Sequence, residues 1–510
     1  MASSSQTDLV NSAAESQSIQ SSSSSSSSSP HGSASFQEGD NSIAKTVGST
    51  AVVVMSENQQ PYKMYRRRWI GMLVIISLNI ATGFVWLTFN SVSKISEKWL
   101  NASLTEVNLS SMLYFAGSIA TSSFSGYVFE KWGIKFALIL GASLNVVGCT
   151  IRYFGSFIES TEDSHEARLT VILIGQFIAA CAQPFFLNVS PKYSAVWFGD
   201  GSRAVATTIG TVSNPVGIAC AMLVIPMLCS NEDGDDMPLT LLVVGIIAIA
   251  TLIPTFFIPV KPPTPPSASA EIALAETREV SFMVALRTLS TNIQFWVLFL
   301  AFAISVAVFN VVTSLINQIV EPYNYSDDDA GIFGACFIAA GIVGAAASGV
   351  FVDRTRKYKE VLKSAAPLLA AGYVGFLFVV REDFFPWICL VCGFLGFISF
   401  ALLPVALELG VETTYPAPTS ACTSVLWLGG QTCAVVFLLV GDSLRGKSPF
   451  KDDPEDTMST GLISIACVST LVCFLAFFFH SPYHRMEAEA EAERLKKLGV
   501  AGDANNDIMG

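Results

Sequence analysis

Gly126-Tyr-Val-Phe-Glu130-Lys131-Trp-Gly133-Ile-Lys135 is a short charged turn set between two long apolar runs. The second half of the chain carries a counterpart, Gly349-Val-Phe-Val-Asp353-Arg354-Thr-Arg356-Lys357. In each, a glycine stands four residues ahead of a carboxylate, and a base follows the carboxylate at once. One charged turn recurring at matching places in two apolar halves indicates an internally duplicated membrane protein.

Composition points the same way. The 510 residues are 51% hydrophobic and only 14% charged, with a mean hydropathy of +0.52, whereas soluble domains carry about 25% charged residues. The apolar residues fall in blocks of about 20, the length that crosses a bilayer. The formal net charge of -12 sits largely in the tails and in acidic loops at 231–236 and 452–456, and no basic face suited to nucleic acid is present. The eleven cysteines lie mostly within apolar runs. Cys389 and Cys392 form a CxxC, but no second Cys or His pair stands near to complete the roughly four ligands of a zinc site, and no disulfide framework is legible. No metal or cofactor is therefore expected.

Residues 1–65 are Ser-rich, with an unbroken serine run at 21–29. Such a segment buries too little apolar surface to offset its conformational entropy, so disorder is expected. No basic stretch followed by an apolar core opens the chain, so the first span itself directs insertion. About twelve spans follow, at 69–92, 107–129, 134–154, 169–189, 204–228 and 239–260, then 293–316, 330–352, 361–380, 384–407, 419–440 and 459–479. They divide into an N-terminal half, 66–260, and a C-terminal half, 291–480, joined by a Pro/Ala/Glu-rich linker at 261–290 and followed by a charged tail at 481–510. Within that tail, 487–497 has the pattern of a charged helix. A backbone in lipid must satisfy its own hydrogen bonds, so the spans are helices and the fold is all-α.

Basic residues set the orientation. Lys63 and Arg66, Arg67 and Arg68 precede the first span, Lys131 and Lys135 follow the second, Lys192 the fourth, and Arg354, Arg356, Lys357 and Lys359 the eighth. The alternate loops are acidic or carry acceptor sequons at Asn101, Asn108 and Asn324. Both termini are thus expected in the cytosol, in a plasma-membrane protein with glycosylation candidates on the outer side. The loop holding Arg445, Lys447 and Lys451 is a mild exception to the charge rule. Asn188-Val-Ser190 is followed by a proline and lies at a membrane end, so it is discounted.

Six plus six helices, a cytosolic linker and a charged turn after spans two and eight resemble the major facilitator superfamily. Its loop motif, Gly-x-x-x-Asp-Arg-x-Gly-Arg-Lys, is matched with Glu130 in the Asp place and Lys131 in the Arg place. Carboxylates and bases at these helix ends can pair across the halves and hold one state of a rocking transporter. Gly126, Glu130, Lys131, Gly349, Asp353 and Arg354 are therefore the gating candidates.

Polar side chains inside a span are costly and mark a water-filled path. The first span offers Asn79, Trp86 and Asn90, the fourth Gln176 and Gln183-Pro184, and the fifth Asn214-Pro215-Val-Gly217. The seventh offers Asn310, Ser314 and Asn317, and the eleventh Trp427 and Gln431. No span has a carboxylate, Lys or Arg near its middle, and the four histidines lie in tails, loops or helix ends. Facilitated diffusion is the expected mode, with Glu408 and Glu412 of the tenth span as the candidates for proton coupling. An aromatic, amide-lined cavity without an acid suits an ammonium ion, held by cation–π contact with Trp86 at roughly 0.5–2 kcal/mol, with Gln183 and Gln431 orienting a hydroxyl.

Most of 66–479 resembles the feline leukaemia virus subgroup C receptor-related family of major facilitator carriers. The likeness is strongest in Gly175-Gln176…Ala182-Gln183 running on to Ala195-Val-Trp197-Phe198-Gly199. It is also strong in Thr313-Ser-Leu-Ile-Asn317-Gln318 and in Pro404…Glu408…Glu412-Thr-Thr-Tyr415-Pro416. The resemblance implies a twelve-helix alternating-access carrier whose choline- and ethanolamine-binding Trp and two Gln fall on Trp86, Gln183 and Gln431. The second aromatic of that site, in the seventh span, falls on Asn310, a departure from the pattern. Haem and a vitamin-B6-type solute are the other cargoes the family implies. A receptor without transport activity would be expected to carry a large folded domain outside the membrane, and an enzyme a catalytic constellation at a membrane face; neither is legible. The expected partners are a small solute and the lipid bilayer.

Overall fold

The computed structural model of the protein describes residues 62–487, except 160–164, 230, 232, 268–269, 271–273, 275–281, 416, 451–453 and 455. The serine run, part of the linker and the expected helix at 487–497 beyond its first residue lie outside the described residues. Among those described, the regular elements are all helical.

The N-terminal half begins with α1 (Arg68–Leu87) and α2 (Ser93–Leu100), which together make one span broken by a 3-10 turn at Asn90–Val92. Next comes α3 (Leu104–Gly155), 52 residues long. At 1.5 Å per residue it would reach about 78 Å, against about 30 Å of hydrocarbon. It is two spans, separated at Gly133, which has φ 79° and ψ 176°. A Cβ there would meet nothing within 4 Å, so the glycine is required by the backbone angle alone. The central glycine of the charged turn is thus the hinge between spans two and three. The fourth span is α4 (His165–Ala180), α5 (Gln183–Leu187) and α6 (Val189–Trp197); α7 (Asp200–Leu228) and α8 (Met237–Thr255) complete the half.

At the end of the linker, which the sequence reading places at 261–290 without assigning it an element, α9 (Phe282–Thr291) is helical. Leu289 is buried, and the helix lies against α3, α10 and α14. The C-terminal half comprises α10 (Ile293–Val320), α11 (Asp327–Thr355), α12 (Tyr358–Val379), α13 (Phe385–Thr414), α14 (Thr419–Ser443) and α15 (Ser459–Phe478). Counting both arms of α3, twelve crossings result.

Small residues allow the closest helix pairs. A Cβ on Gly217 of α7 would lie 2.3 Å from the Ile80 carbonyl oxygen, and one on Gly83 of α1 2.6 Å from the Gly217 backbone. The Pro-interrupted run at 210–217 therefore serves the α1–α7 seam. The halves meet where α11 runs along α7, with Gly331 against Met222 and Gly349 facing Thr208, and where α14 runs along the first arm of α3.

The duplication extends to the helix starts. Ser103 caps α3 and Ser326 caps α11, each in a reciprocal capping box, with Glu106 and Asp329 respectively. Two residues before each cap stands an asparagine in the left-handed region, Asn101 at φ 51° and Asn324 at φ 62°.

Candidate functional site: a cavity between the halves

One cavity is walled by both halves. Trp86 at the end of α1, Gln183 of α5 and Asn214 of α7 face Asn310 of α10 and Trp427 and Gln431 of α14 across about 60 Å³ of space accessible to water centres. All four residues expected from the sequence line it, and no charged side chain does.

Each polar wall residue is placed by a local cause. The fourth span restarts at Gln183 with Pro184 in its first turn, where a missing N–H is tolerated. Gln183 Oε1 then accepts from the Ser118 hydroxyl of α3. Asn214 Nδ2 donates to the Asn79 carbonyl at 3.1 Å and the Thr82 hydroxyl at 3.0 Å, so its amide is anchored on α1. Asn310 Nδ2 donates to Gln431 Oε1 at 3.5 Å.

Trp86 stacks at 6.4 Å on Tyr114 and meets Phe115 edge-on at 5.1 Å. It stands where α1 ends, so the last carbonyls of that helix need partners. Gln176 Nε2 donates to the Val85 and Trp86 carbonyls at 3.5 and 3.4 Å, and Arg152 Nη1 donates to Val85 O at 3.3 Å. Arg152 is 1% exposed, with its guanidinium 4.9 Å from the Phe89 ring centroid. The sequence reading passed over it as a base near a helix end. Its position was the available signal: it lies at the end of the third span opposite the charged turns, where a base does not serve topology.

Asn79, Trp86 and Asn90, singled out together in the first span, have three separate settings. Asn79 is buried and donates to the Ile75 and Phe186 carbonyls. Trp86 lines the cavity. Asn90 belongs to the closure at the end remote from the charged turns.

At that end, Asn90 Nδ2 donates to the Ser314 carbonyl at 3.4 Å and Asn317 Nδ2 to the Ser91 carbonyl at 2.9 Å. Asn108 and Gln318 exchange amide hydrogen bonds of 3.1 and 2.8 Å. Asp442 accepts from Asn108 at 3.0 Å and from Thr105 at 2.8 Å, and is paired with Arg445 at 2.6 Å. Arg445 also donates to Gln318. The exceptional basic residue of this loop is thus neutralised inside the closure. An exposed pair, Lys94–Glu321 at 2.6 Å, also crosses the halves.

Asn108 is a correction. It is wholly buried and its amide nitrogen is used in the network, so it presents no acceptor for a glycan. Asn101 and Asn324 are exposed, and Asn324 Nδ2 donates to Glu382 at 2.6 Å.

At the other end, Glu130 accepts from the Ser420 hydroxyl of α14 and pairs with Lys192 at 2.7 Å. Ser122 donates to the Ser424 carbonyl at 2.9 Å, and Asn188 to the Ser424 hydroxyl at 3.0 Å. Lys131, expected to pair beside Glu130, is exposed and donates to Tyr127 of its own helix; Lys192 takes its place. Gly126 is buried and Arg354 exposed, while the side chain of Asp353 lies outside the described residues. Glu408 and Glu412 do not line the cavity. Arg485 lies 3.8 Å from Glu408, and Met486 N donates to Glu412 at 3.1 Å, so both glutamates hold the segment after α15. No group of three or more metal-ligating side chains occurs among the described residues.

Comparison with known proteins adds to this geometry. The Major Facilitator Superfamily model matches residues 69–438. Solute carrier family 49 member A3 of Xenopus tropicalis is 31% identical over 88% of this chain and 94% of its own length. The choline/ethanolamine transporter flvcr2a of Danio rerio is 30% identical over 74% of this chain and 80% of its own. Among solved structures, the proton:xylose symporter XylE bound to 6-bromo-6-deoxy-D-glucose superposes with a TM-score of 0.65. It covers 83% of this chain and 98% of that one at 13% identity, a likeness of fold alone.

Proposed function

The chain belongs to the major facilitator superfamily, in its feline leukaemia virus subgroup C receptor-related branch, and from that premise we propose that this transporter carries a small hydroxylated ammonium ion of choline or ethanolamine type by facilitated diffusion. The observation that carries the proposal is the cavity wall, which combines two indoles with four neutral amides and has no charged side chain. An indole face attracts an ammonium by roughly 0.5–2 kcal/mol, and the amides supply hydrogen bonds for a hydroxyl. With no acid in the wall, nothing there can take up a proton in exchange for the cargo. Glu408 and Glu412 are engaged by the segment after α15, which favours a uniport. Haem is the weaker cargo, because no His, Cys, Met or Tyr lines the cavity to ligate its iron.

Hydrogen bonds cross between the halves at both ends of the cavity, as an occluded intermediate of alternating access requires. Assigning the basic end to the cytosol places both termini there, and the plasma membrane suits a carrier of a circulating solute. Uptake of labelled choline and ethanolamine by cells making the protein, set beside Trp86→Ala, tests the cargo. Uptake above background that drops about tenfold in the variant is expected; background uptake of both solutes would overturn the assignment. An imposed pH gradient tests the mode, and accumulation against the solute gradient would contradict a uniport.

A further inference from the structure

We propose that the cavity selects an ammonium that retains N–H hydrogens, a primary hydroxyalkylamine rather than a quaternary one, with Trp427 as its second aromatic wall and Asn310 as its hydrogen-bond acceptor. The proposal rests on the ammonium reading and sharpens it.

Two observations carry it. First, the aromatic that the family resemblance places in the seventh span is absent at Asn310, yet the C-terminal half still turns an indole to the cavity. Trp427 lines it from α14, one helical turn from Gln431, with Phe302 edge-on at 5.5 Å behind it. Trp86, backed by Tyr114 and Phe115, stands on the other half. Each half thus contributes one braced indole to the wall, and an indole face attracts a cation.

Second, the residue in the vacated aromatic position is an amide with a defined direction. Asn310 Nδ2 directs one of its two N–H groups to Gln431 Oε1, and Asn310 Oδ1 and Gln431 Nε2 have no partner among the described residues. Oδ1 accepts from an ammonium N–H, while Nε2 donates to a hydroxyl oxygen. Asn214 Oδ1 is left open in the same way by the anchoring of its Nδ2. A trimethylammonium has no N–H, so it would bury these acceptors unpaired, and a site built to hydrogen-bond a group discriminates against an analogue that lacks it.

The test is a methylation series on the full-length protein in proteoliposomes: uptake of ethanolamine, N-methylethanolamine, N,N-dimethylethanolamine and choline, each as kcat/KM. Wild type should lose about tenfold from the first member to the last, the effect of one charge-assisted hydrogen bond. Asn310→Leu should flatten the series, and Asn310→Asp, which keeps the acceptor, should preserve its slope. Trp427→Leu should lower all four members about equally, by roughly threefold to tenfold, and Trp427→Phe should recover most of that. Choline carried as well as ethanolamine, or a slope unchanged in Asn310→Leu, would overturn the selection. A Trp427→Leu protein as active as wild type would remove the second wall. If wild type carries no member of the series, the ammonium reading itself fails, an outcome distinct from the others.

Discussion

Arg152 is a cation with almost no exposed surface, and its neighbours explain why it is kept. Helix α1 ends beside the cavity with its Val85 carbonyl accepting from the guanidinium, and the negative end of a helix dipole favours a cation by up to about 2 kcal/mol in a partly buried setting. Arg152→Met should therefore lower stability by about 2 kcal/mol, read as a drop in the thermal midpoint of the purified protein, and should weaken uptake through the displaced Trp86. An unchanged midpoint would show that Gln176 suffices as the cap. Residues of this kind set the limit of sequence reading. Trp86, Gln183, Asn310 and Gln431 were legible because amides and indoles inside apolar runs are costly without a purpose. Arg152 was not, because a base near the end of a run is ambiguous until the partner carbonyls are known. The two exposed sequons show the reverse error in the making. In Asn101-Ala-Ser103 and Asn324-Tyr-Ser326, the asparagine takes a left-handed turn and the serine caps the next helix. Helix-entry geometry alone accounts for that spacing, whether or not a sugar is added.

Whole elements are broken at defined points, and the breaks position the chemistry. The 3-10 turn after α1 leaves Trp86 at a helix end, the interruption before Gln183 presents that amide to the cavity, and Gly133 divides α3. The lengths of the spans were legible from hydropathy, and Gln183-Pro184 signals the break in the fourth span, whereas the break after α1 was not legible, since it depends on which carbonyls the neighbouring helices satisfy. Helix α9 escaped for a different reason. The Pro/Ala/Glu character of the segment dominates its composition, and masks the short apolar stretch at its end that forms a helix and is buried through Leu289. Gly133→Val should cost about 1–3 kcal/mol, the penalty for holding an L side chain in a positive-φ, extended-ψ conformation that essentially only glycine adopts, with no contribution from neighbouring side chains because the site is open. A thermal midpoint equal to wild type would show that the hinge relaxes. Gly217→Val, by contrast, meets the α1 backbone and should prevent the α1–α7 seam from forming, seen as loss of folded protein on size exclusion.

For the molecule as a whole, the two closures are made from different chemistry. The end with the charged turns is held by Glu130, which joins Ser420 of one half to Lys192 of the other. The opposite end is held mainly by amides, with Asn108 linked to both Gln318 and Asp442. A hydrogen bond to a charged group contributes about 1.5–3 kcal/mol, so removing one should shift the balance between the two open states by tenfold or more. Glu130→Gln weakens the first closure and Asn108→Ala the second. A cysteine at Ser305, which lines the cavity and whose hydroxyl bonds only to its own helix at Ala301, reports which end has opened. A membrane-impermeant thiol reagent added outside intact cells should label Ser305→Cys faster when combined with Asn108→Ala. Combined with Glu130→Gln it should label more slowly than Ser305→Cys alone, because the cavity then opens to the cytosol. The reverse pattern would place the charged turns outside, and equal labelling in all three proteins would mean that neither network controls access. Because the two variants push in opposite directions on the same reporter, the outcome separates a gate from a merely stabilising contact.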